Sequence, residues 1–560
     1  MNKKTYAVFI ILISLQSFLL LSFSSNSLYT SNLKSVFISS STSQRIFEPF
    51  KNNPSIYSDL GMNKLINEGY KGRNITIAIL DTGINDTDSR LNRNNTKIVK
   101  RNINFVQEEP EYDLNGHGTS IAGLIAMKLS YIPSLNIQVS GIATEANLWN
   151  IKVLNKDGEG NILDIMNGIQ YCIDQYTEID IINLSFGIIK TNENKNILSE
   201  LENKIKELWN LGVIVVAAAG NNGNMNQESG SSYSSLFTIN TPSSVLEVIS
   251  VGACLNDSML SFSSIGPSPH SHYIKPDIVA PGADIITIYL DNHFISNAQG
   301  TSYSAPIISA GIALLLEKVG KKHPNLIKAA LYDSAISLGY HFYEEGVGMP
   351  NFSRAAELLM DNAYLGISFL PKNLSFPNFF DPEKEFLISD VNSFFPEQKF
   401  KNLYCTLIIG KNYSSPIIFQ MDDELSSFIN IKNDSILTFG QHAIGIDFIE
   451  SFFVNNKFVM LKYGTYQGYI NFYITNGTNQ YKVASVFISI SISILGILKT
   501  YFFVILFIII SFVSLIVVKK RNNLSDDIIS TIPLDKCPKG YECECSMDGT
   551  LCSIKKKNNA

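Results

Sequence analysis

Gly300-Thr301-Ser302-Tyr303-Ser304-Ala305-Pro306 leads straight into the apolar run Ile307-Ile308-Ser309-Ala310-Gly311-Ile312-Ala313-Leu314-Leu315-Leu316. A glycine lets backbone come close to a ligand because it has no Cβ. Ser302 is thereby predicted at the mouth of a helix, where free N–H groups and the positive end of the dipole favour a developing anion. Pro306 stands near enough to the first turn to be tolerated. A serine so placed is a good nucleophile only when a base and an oxyanion donor come from elsewhere in the chain. Without them the stretch reads as an ordinary capped core helix.

Two other stretches offer those partners. Asn74-Ile75-Thr76-Ile77-Ala78-Ile79-Leu80 reads as a buried strand and ends in Asp81-Thr82-Gly83. Asn115-Gly116-His117-Gly118-Thr119-Ser120-Ile121-Ala122-Gly123 puts a glycine-flanked histidine at the opening of a helix. Asp, His and Ser in that chain order, each at the end of a regular element, offer an orienting carboxylate, a general base and a nucleophile. The three blocks together resemble the subtilisin-like serine proteases over about residues 54–360. That resemblance implies that Asp81 holds the imidazole, His117 acts as base and then as acid, and Ser302 attacks the scissile carbonyl.

The pattern between these blocks is that of a layered α/β fold. Asn147–Leu154, Ile179–Leu184, Val213–Ala219 and Val248–Ala253 are short, nearly continuous apolar runs, as strands buried on both faces are. Asn161–Tyr176 and Asn196–Leu211 lie between them with apolar residues at helical spacing. The alternation predicts a parallel sheet with helices on both faces and the chemistry at the carboxyl ends of the strands.

Two loops at such strand ends matter. Ala217-Ala218-Ala219-Gly220-Asn221-Asn222-Gly223 leaves its strand with small residues and an amide. By resemblance Asn221 is the oxyanion donor, working with the backbone N–H of Ser302. Asn222 competes only if the register shifts by one. Asn183-Leu184-Ser185-Phe186-Gly187 is, by resemblance, the edge that binds substrate backbone, with Ser185, Phe186, Gly187 and Gly220 walling the pocket. No acidic residue follows until Glu193, so an acidic pocket for paired basic residues is not evident. Lys275-Pro276-Asp277-Ile278-Val279-Ala280-Pro281-Gly282 is expected to fix a turn near the nucleophile, and Glu345–Asn351 to close the catalytic unit at about residue 360.

Outward from this unit the chain changes character. Its 560 residues leave room for more than one domain, and 45% hydrophobic with 17% charged residues suits a globular protein carrying a membrane segment. A net charge of −6 without a basic stripe argues against a nucleic-acid partner. Residues 1–25, with Lys3 and Lys4 ahead of the apolar run Tyr6–Phe23, read as a signal peptide, the other reading being an uncleaved anchor. Residues 26–53 form a polar pro-segment or linker, shorter than the folded propeptide the resemblance implies. Residues 363–480 alternate aromatic and β-branched with polar residues and predict a small β-rich juxtamembrane domain.

Residues 483–518 are long and apolar, interrupted mainly by Lys499, and Tyr501–Val518 alone is just long enough for one transmembrane helix. Lys519-Lys520-Arg521 then places a tail, 519–560, in the cytosol and the catalytic unit outside it, as in a single-pass type I protein. Membrane attachment suggests the site-1 protease branch of the family, from which the short pro-segment departs. Cys172, Cys254 and Cys405 have no framework spacing; Cys172 and Cys254 read as free core thiols. Cys537, Cys543, Cys545 and Cys552 crowd the tail without the spacing of a zinc site, leaving lipidation, metal binding and simple exposure open.

The reading is thus a membrane-anchored serine endopeptidase of the secretory pathway or cell surface, acting on protein or peptide substrates. It requires no cofactor and no catalytic metal; structural calcium, frequent in the family, has no assignable ligands. A catalytically silent, protease-like binding or adhesion protein is the alternative.

Overall fold

The computed structural model describes residues 59–93, 96–191, 193–223, 236–291 and 293–371, then shorter stretches between 373 and 492, and 528–529, 541–545 and 552–556. The segments 1–25 and 26–53, the apolar run 501–518 and the basic flank behind it lie outside the described residues.

Eight strands make the central sheet: β1 (Thr76–Asp81), β2 (Val99–Asn104), β3 (Asn147–Lys152), β4 (Ile181–Leu184), β5 (Ile214–Ala218), β6 (Ile249–Leu255), β7 (Ser258–Met259) and β8 (Ile278–Pro281). Their order is β7-β6-β5-β4-β1-β3-β2, with β8 also paired to β6. Every pairing is parallel except the short return of β7 onto β6. The chain passes from β3 to β4 across β1, so the order reverses at β1. Open α/β sheets bind ligands outside the carboxyl ends of the strands at such a reversal. Asp81 is the last residue of β1.

Six helices concern the site: α1 (His117–Ala126), α2 (Ile162–Asp174), α3 (Lys195–Asn210), α4 (Thr301–Val319), α5 (Pro324–Ser334) and α6 (Phe352–Met360). Successive residues of a strand point to opposite faces. Leu80 meets α2, where a Cβ on Gly168 would lie 3.5 Å from its Cδ2. Asp81 meets α1, where a Cβ on Gly118 would lie 3.1 Å from its Cβ. These two helices therefore cover opposite faces of β1, which is why residues 77–80 are apolar without a break and fully buried. Helix α4 is buried through its first sixteen residues, Ser302 alone excepted, and crosses β4, β5, β6 and β8.

Two four-stranded sheets follow. A sheet ordered β9-β11-β14-β13 is built from β9 (Ile367–Leu370), β11 (Asn402–Ile409), β13 (Ile429–Lys432) and β14 (Gly440–Phe448). A second, ordered β10-β16-β15-β12, is built from β10 (Asn373–Phe379), β12 (Ile417–Met421), β15 (Gly464–Asn476) and β16 (Asn479–Ile492). Helix α5 lies against β9 and β11. Asp333 on α5 accepts hydrogen bonds from Tyr364 Oη and Ser368 Oγ, both at 2.8 Å.

Strand β16 differs from the sequence expectation, since residues 483–492 were assigned to the start of the membrane segment. They pair instead with β15 and β10. The reason is visible in Ile488-Ser489-Ile490-Ser491-Ile492, whose β-branched residues alternate with serines at the strand period of two. Among the described residues no single helix is long and apolar enough to cross a membrane. Cys172, Cys254 and Cys405 are buried free thiols, and burial pushes that of Cys254 up to about 12.

Candidate active site

Asp81 ends β1 with its side chain 1% exposed. Its Oδ1 accepts from Thr82 N at 2.7 Å and lies 2.8 Å from His117 Nδ1. A carboxylate can only accept, so the neutral imidazole carries its proton on Nδ1 and keeps the lone pair on Nε2. Oδ2 of Asp81 is buried and has no hydrogen-bond partner among the described residues.

His117 opens α1 behind Gly116, whose φ of 101° suits only glycine well. Gly118 is needed as well, because a Cβ there would collide with the Gly83 carbonyl. The imidazole side chain is 25% exposed and packs edge-on against Tyr303, with ring centroids 5.8 Å apart. Burial lowers its pKa, but the charge and hydrogen bond of Asp81 and the charge of Asp113 outweigh that, leaving it above the ordinary histidine value.

Ser302 occupies the first turn of α4, partly exposed between buried Thr301 and Tyr303. Gly300 precedes it with φ 138°. A Cβ at Gly300 would lie 3.0 Å from Ser302 Oγ and 3.3 Å from Asn221 Nδ2, so the hydroxyl and the amide border the same small volume. The amide's orientation follows from its other end. Asn221 Oδ1 accepts from Thr301 N at 2.9 Å and from Thr301 Oγ1 at 3.0 Å, which turns Nδ2 toward Gly300. Asn222 is committed elsewhere, donating from Nδ2 to Asn240 Oδ1 at 2.9 Å.

Pro306 lies inside α4 and has no N–H, so it cannot satisfy the carbonyl of Ser302 four residues earlier. Ser185 Oγ donates to that carbonyl instead, at 2.8 Å, and accepts from Asn183 Nδ2 at 2.8 Å. The serine predicted at the substrate edge thus also braces the nucleophile's turn. Phe186 packs against the core, and Gly187 lies on Asn240. Gly220 has its N–H on Thr301 Oγ1 (3.1 Å) and its carbonyl on Ser264 N (2.9 Å). Its N–H therefore holds the turn that carries Ser302, while its carbonyl ties the Asn221 loop to Ser264.

The Lys275–Gly282 block divides. Only its far end reaches the nucleophile: Ser304 Oγ is 3.1 Å from the carbonyls of Ala280 and Pro281, and Gly300 N donates to Gly282 O at 2.8 Å. Lys275 and Asp277 sit instead at the amino end of β8, on the other side of the sheet's length.

Sequence reasoning missed Asp113 and Lys152. Asp113 is 3% exposed, and its carboxylate takes five hydrogen bonds from both catalytic loops. Its signal was local: an aspartate in a turn accepts readily from the backbone N–H two residues on, here that of Asn115. Lys152, buried beside Asp81 in the β1–β3 register, donates to Thr82 O at 2.6 Å and Leu154 O at 3.1 Å and pairs with Glu109 at 3.1 Å.

A buried Asp–His pair, a serine at a helix mouth and an amide beside its hydroxyl are the groups that a serine hydrolase site on an α/β fold requires. A model of the Subtilase family matches residues 72–364. Serine protease AprX of Bacillus subtilis (strain 168) is 34% identical over 291 residues, covering 46% of this chain and 61% of that protein. Subtilisin DY of Bacillus licheniformis is 32% identical over 292 residues, 52% of this chain and 93% of the relative. Subtilisin E of Bacillus subtilis (strain 168) is 32% identical over 302 residues, 52% of this chain and 68% of the relative. The chain belongs to the subtilase family of serine endopeptidases.

Proposed function

We propose that the chain cleaves proteins or peptides by acyl transfer at Ser302 and does so tethered to a membrane, outside the cytosol. One observation carries the chemistry: the Asp81–His117 bond fixes an imidazole whose free nitrogen is Nε2, and the ring packs against Tyr303, the residue that follows Ser302. Ser302 Oγ attacks the scissile carbonyl while His117 Nε2 takes its proton. Negative charge then collects on the carbonyl oxygen, facing Asn221 Nδ2 and the Ser302 N–H. Collapse breaks the C–N bond, and the imidazolium returns the proton to the leaving amine. Water, deprotonated by the same imidazole, hydrolyses the ester and restores Ser302. Asp81 holds the tautomer and stabilises the imidazolium.

No step draws on a cofactor. Structural calcium has no assigned ligands. The substrate would lie extended beside Ser185-Phe186-Gly187. Membrane attachment rests on the apolar Tyr501–Val518 followed by Lys519-Lys520-Arg521, and export on the apolar Tyr6–Phe23 behind Lys3 and Lys4.

A fluorophosphonate probe tests the chemistry: the folded wild-type chain labels and Ser302→Ala does not. A folded wild type that fails to label overturns it and favours the silent binding protein. Alkaline carbonate extraction tests the tether. The chain stays with the membrane pellet, and deletion of 501–518 releases it.

A further inference from the structure

The Asp81 turn and the His117 helix come from separate parts of the chain, and one buried group joins them. Asp113 Oδ1 accepts from Thr82 Oγ1 at 2.9 Å, Asn115 N at 2.9 Å and Gly116 N at 2.9 Å. Its Oδ2 accepts from Thr119 N at 2.9 Å and Thr119 Oγ1 at 2.7 Å. Thr82 Oγ1, held by Asp113, accepts in turn from Gly118 N at 3.0 Å. Thr82 follows the orienting carboxylate directly, and Gly116 and Gly118 flank the imidazole on either side. Resting on the reading of a serine endopeptidase, we propose that Asp113 is a positioning residue that sets the distance between Asp81 and His117 and strengthens His117 as a base.

Geometry gives the first half. Five donors on one carboxylate, two of them hydroxyls and three backbone amides, leave little freedom to either loop. A misplacement of about 1 Å between reacting groups costs on the order of 10²-fold in rate. Charge gives the second half. Asp81 on β1 and Asp113 on the loop before α1 both favour the protonated imidazole. The remaining neighbours do not offset them. Tyr303 on α4 is neutral, its hydroxyl pushed up to about 12, and Tyr289 is bonded to Asn115 O. Lys152 on β3 is tied to Thr82 O, Leu154 O and Glu109. A second buried carboxylate therefore raises the basicity of His117 without touching it.

Two variants of the full chain separate position from charge, read by fluorophosphonate inactivation from pH 5 to pH 9. Asp113→Asn removes the charge and two acceptor sites. Its maximal inactivation rate is expected to fall about 10²-fold, with the probe's half-saturating concentration within about twofold of wild type. The acid limb of its pH profile should move to lower pH, because the imidazole loses a proton more easily once the neighbouring charge is gone. Thr82→Val removes the hydroxyl that ties the Asp81 turn to Asp113 and to Gly118 N but keeps the charge of Asp113; its rate should fall while the acid limb stays in place, and Thr82→Ser should restore the rate. A merely structural Asp113 would change thermal stability without moving the limb. Folded Asp113→Asn and Thr82→Val proteins that label at the wild-type rate with an unmoved limb overturn the inference alone. Where Asp113→Asn does not fold, Thr82→Val labelling at the wild-type rate overturns it. A wild type that does not label at all removes the enzyme reading and this inference with it.

Discussion

The two ends of the central sheet each bury an aspartate, and the two are treated in opposite ways. At the amino end Asp277, 1% exposed, takes hydrogen bonds from Ser250 N (2.7 Å), Lys275 Nζ (2.7 Å) and Tyr332 Oη, with Lys328 Nζ 3.2 Å away. Both ammonium groups are fully buried, and both donate to the carbonyl of Val248 at 2.9 Å. Burial raises the pKa of Asp277, and the two lysines more than reverse that, so it stays below the ordinary carboxylate value. At the carboxyl end Asp81 is just as buried, but among the described residues one oxygen has two partners and the other has none. A buried acceptor left open is costly and calls for a reason. Asp277 is saturated and locks a fold; the charge of Asp81 is left facing an imidazole that becomes positive in the proposed reaction.

The sharpest break in that comparison comes from the nucleophile. Ser302→Ala should lower peptide turnover by about 10⁶-fold, the size known for the same loss in subtilisin, with no loss of thermal stability. Asp277→Asn should do the reverse. It strands two buried ammonium groups, so chemical denaturation should show a loss of about 3–5 kcal/mol, while the folded fraction still labels with a fluorophosphonate. Equal damage to stability from both variants would erase the distinction. Asn221→Ala sits between them, with kcat expected to fall about 10²–10³-fold, again the magnitude known from subtilisin, and KM nearly unchanged.

These two ends also differ in how far they can be read from the chain. The carboxyl end is written in short contiguous blocks, Asp81-Thr82-Gly83 and Asn115–Gly123 among them. Close backbone approach demands glycine at particular positions, so local sequence records it. Strand and helix positions in the sheet follow from unbroken apolar runs and agree to within a few residues. The amino end joins Asp277 to Lys328 and Tyr332 on α5, and to Gln441 on β14, whose Oε1 lies 3.2 Å from Lys328 Nζ. Nothing local marks Lys328 as buried, since its helix places it by a packing that only the folded chain defines. The link between Ser185 and Pro306 is hidden for the same reason: a missing N–H is evident at Pro306, but not which distant hydroxyl replaces it. Hydropathy misled at 483–492, where averaging over a window conceals the alternation of isoleucine with serine.

The amino-end cage sets two lysines on the carboxylate of Asp277, with the charge of Glu247 also acting on Lys328, and the balance has a measurable sign. Burial lowers the pKa of Lys328; Asp277 pulls it up and Lys275 pushes it down again, leaving it at about 7. The unfolded chain keeps an ordinary lysine, with a pKa of about 10.4. Between these two values the unfolded state binds the proton that the folded state does not, so this group makes stability rise with pH across that window. Below about pH 7 both states are protonated and its contribution levels off. Lys328→Met keeps most of the side-chain volume, leaves Lys275 paired with Asp277 one to one, and removes the titration. Thermal melts from pH 7 to pH 10 should show a smaller rise in Tm for Lys328→Met than for wild type, with the two curves converging toward pH 10. Parallel curves would mean that Lys328 keeps its proton inside the fold and that the cage, like the active-site end, tolerates an unbalanced charge.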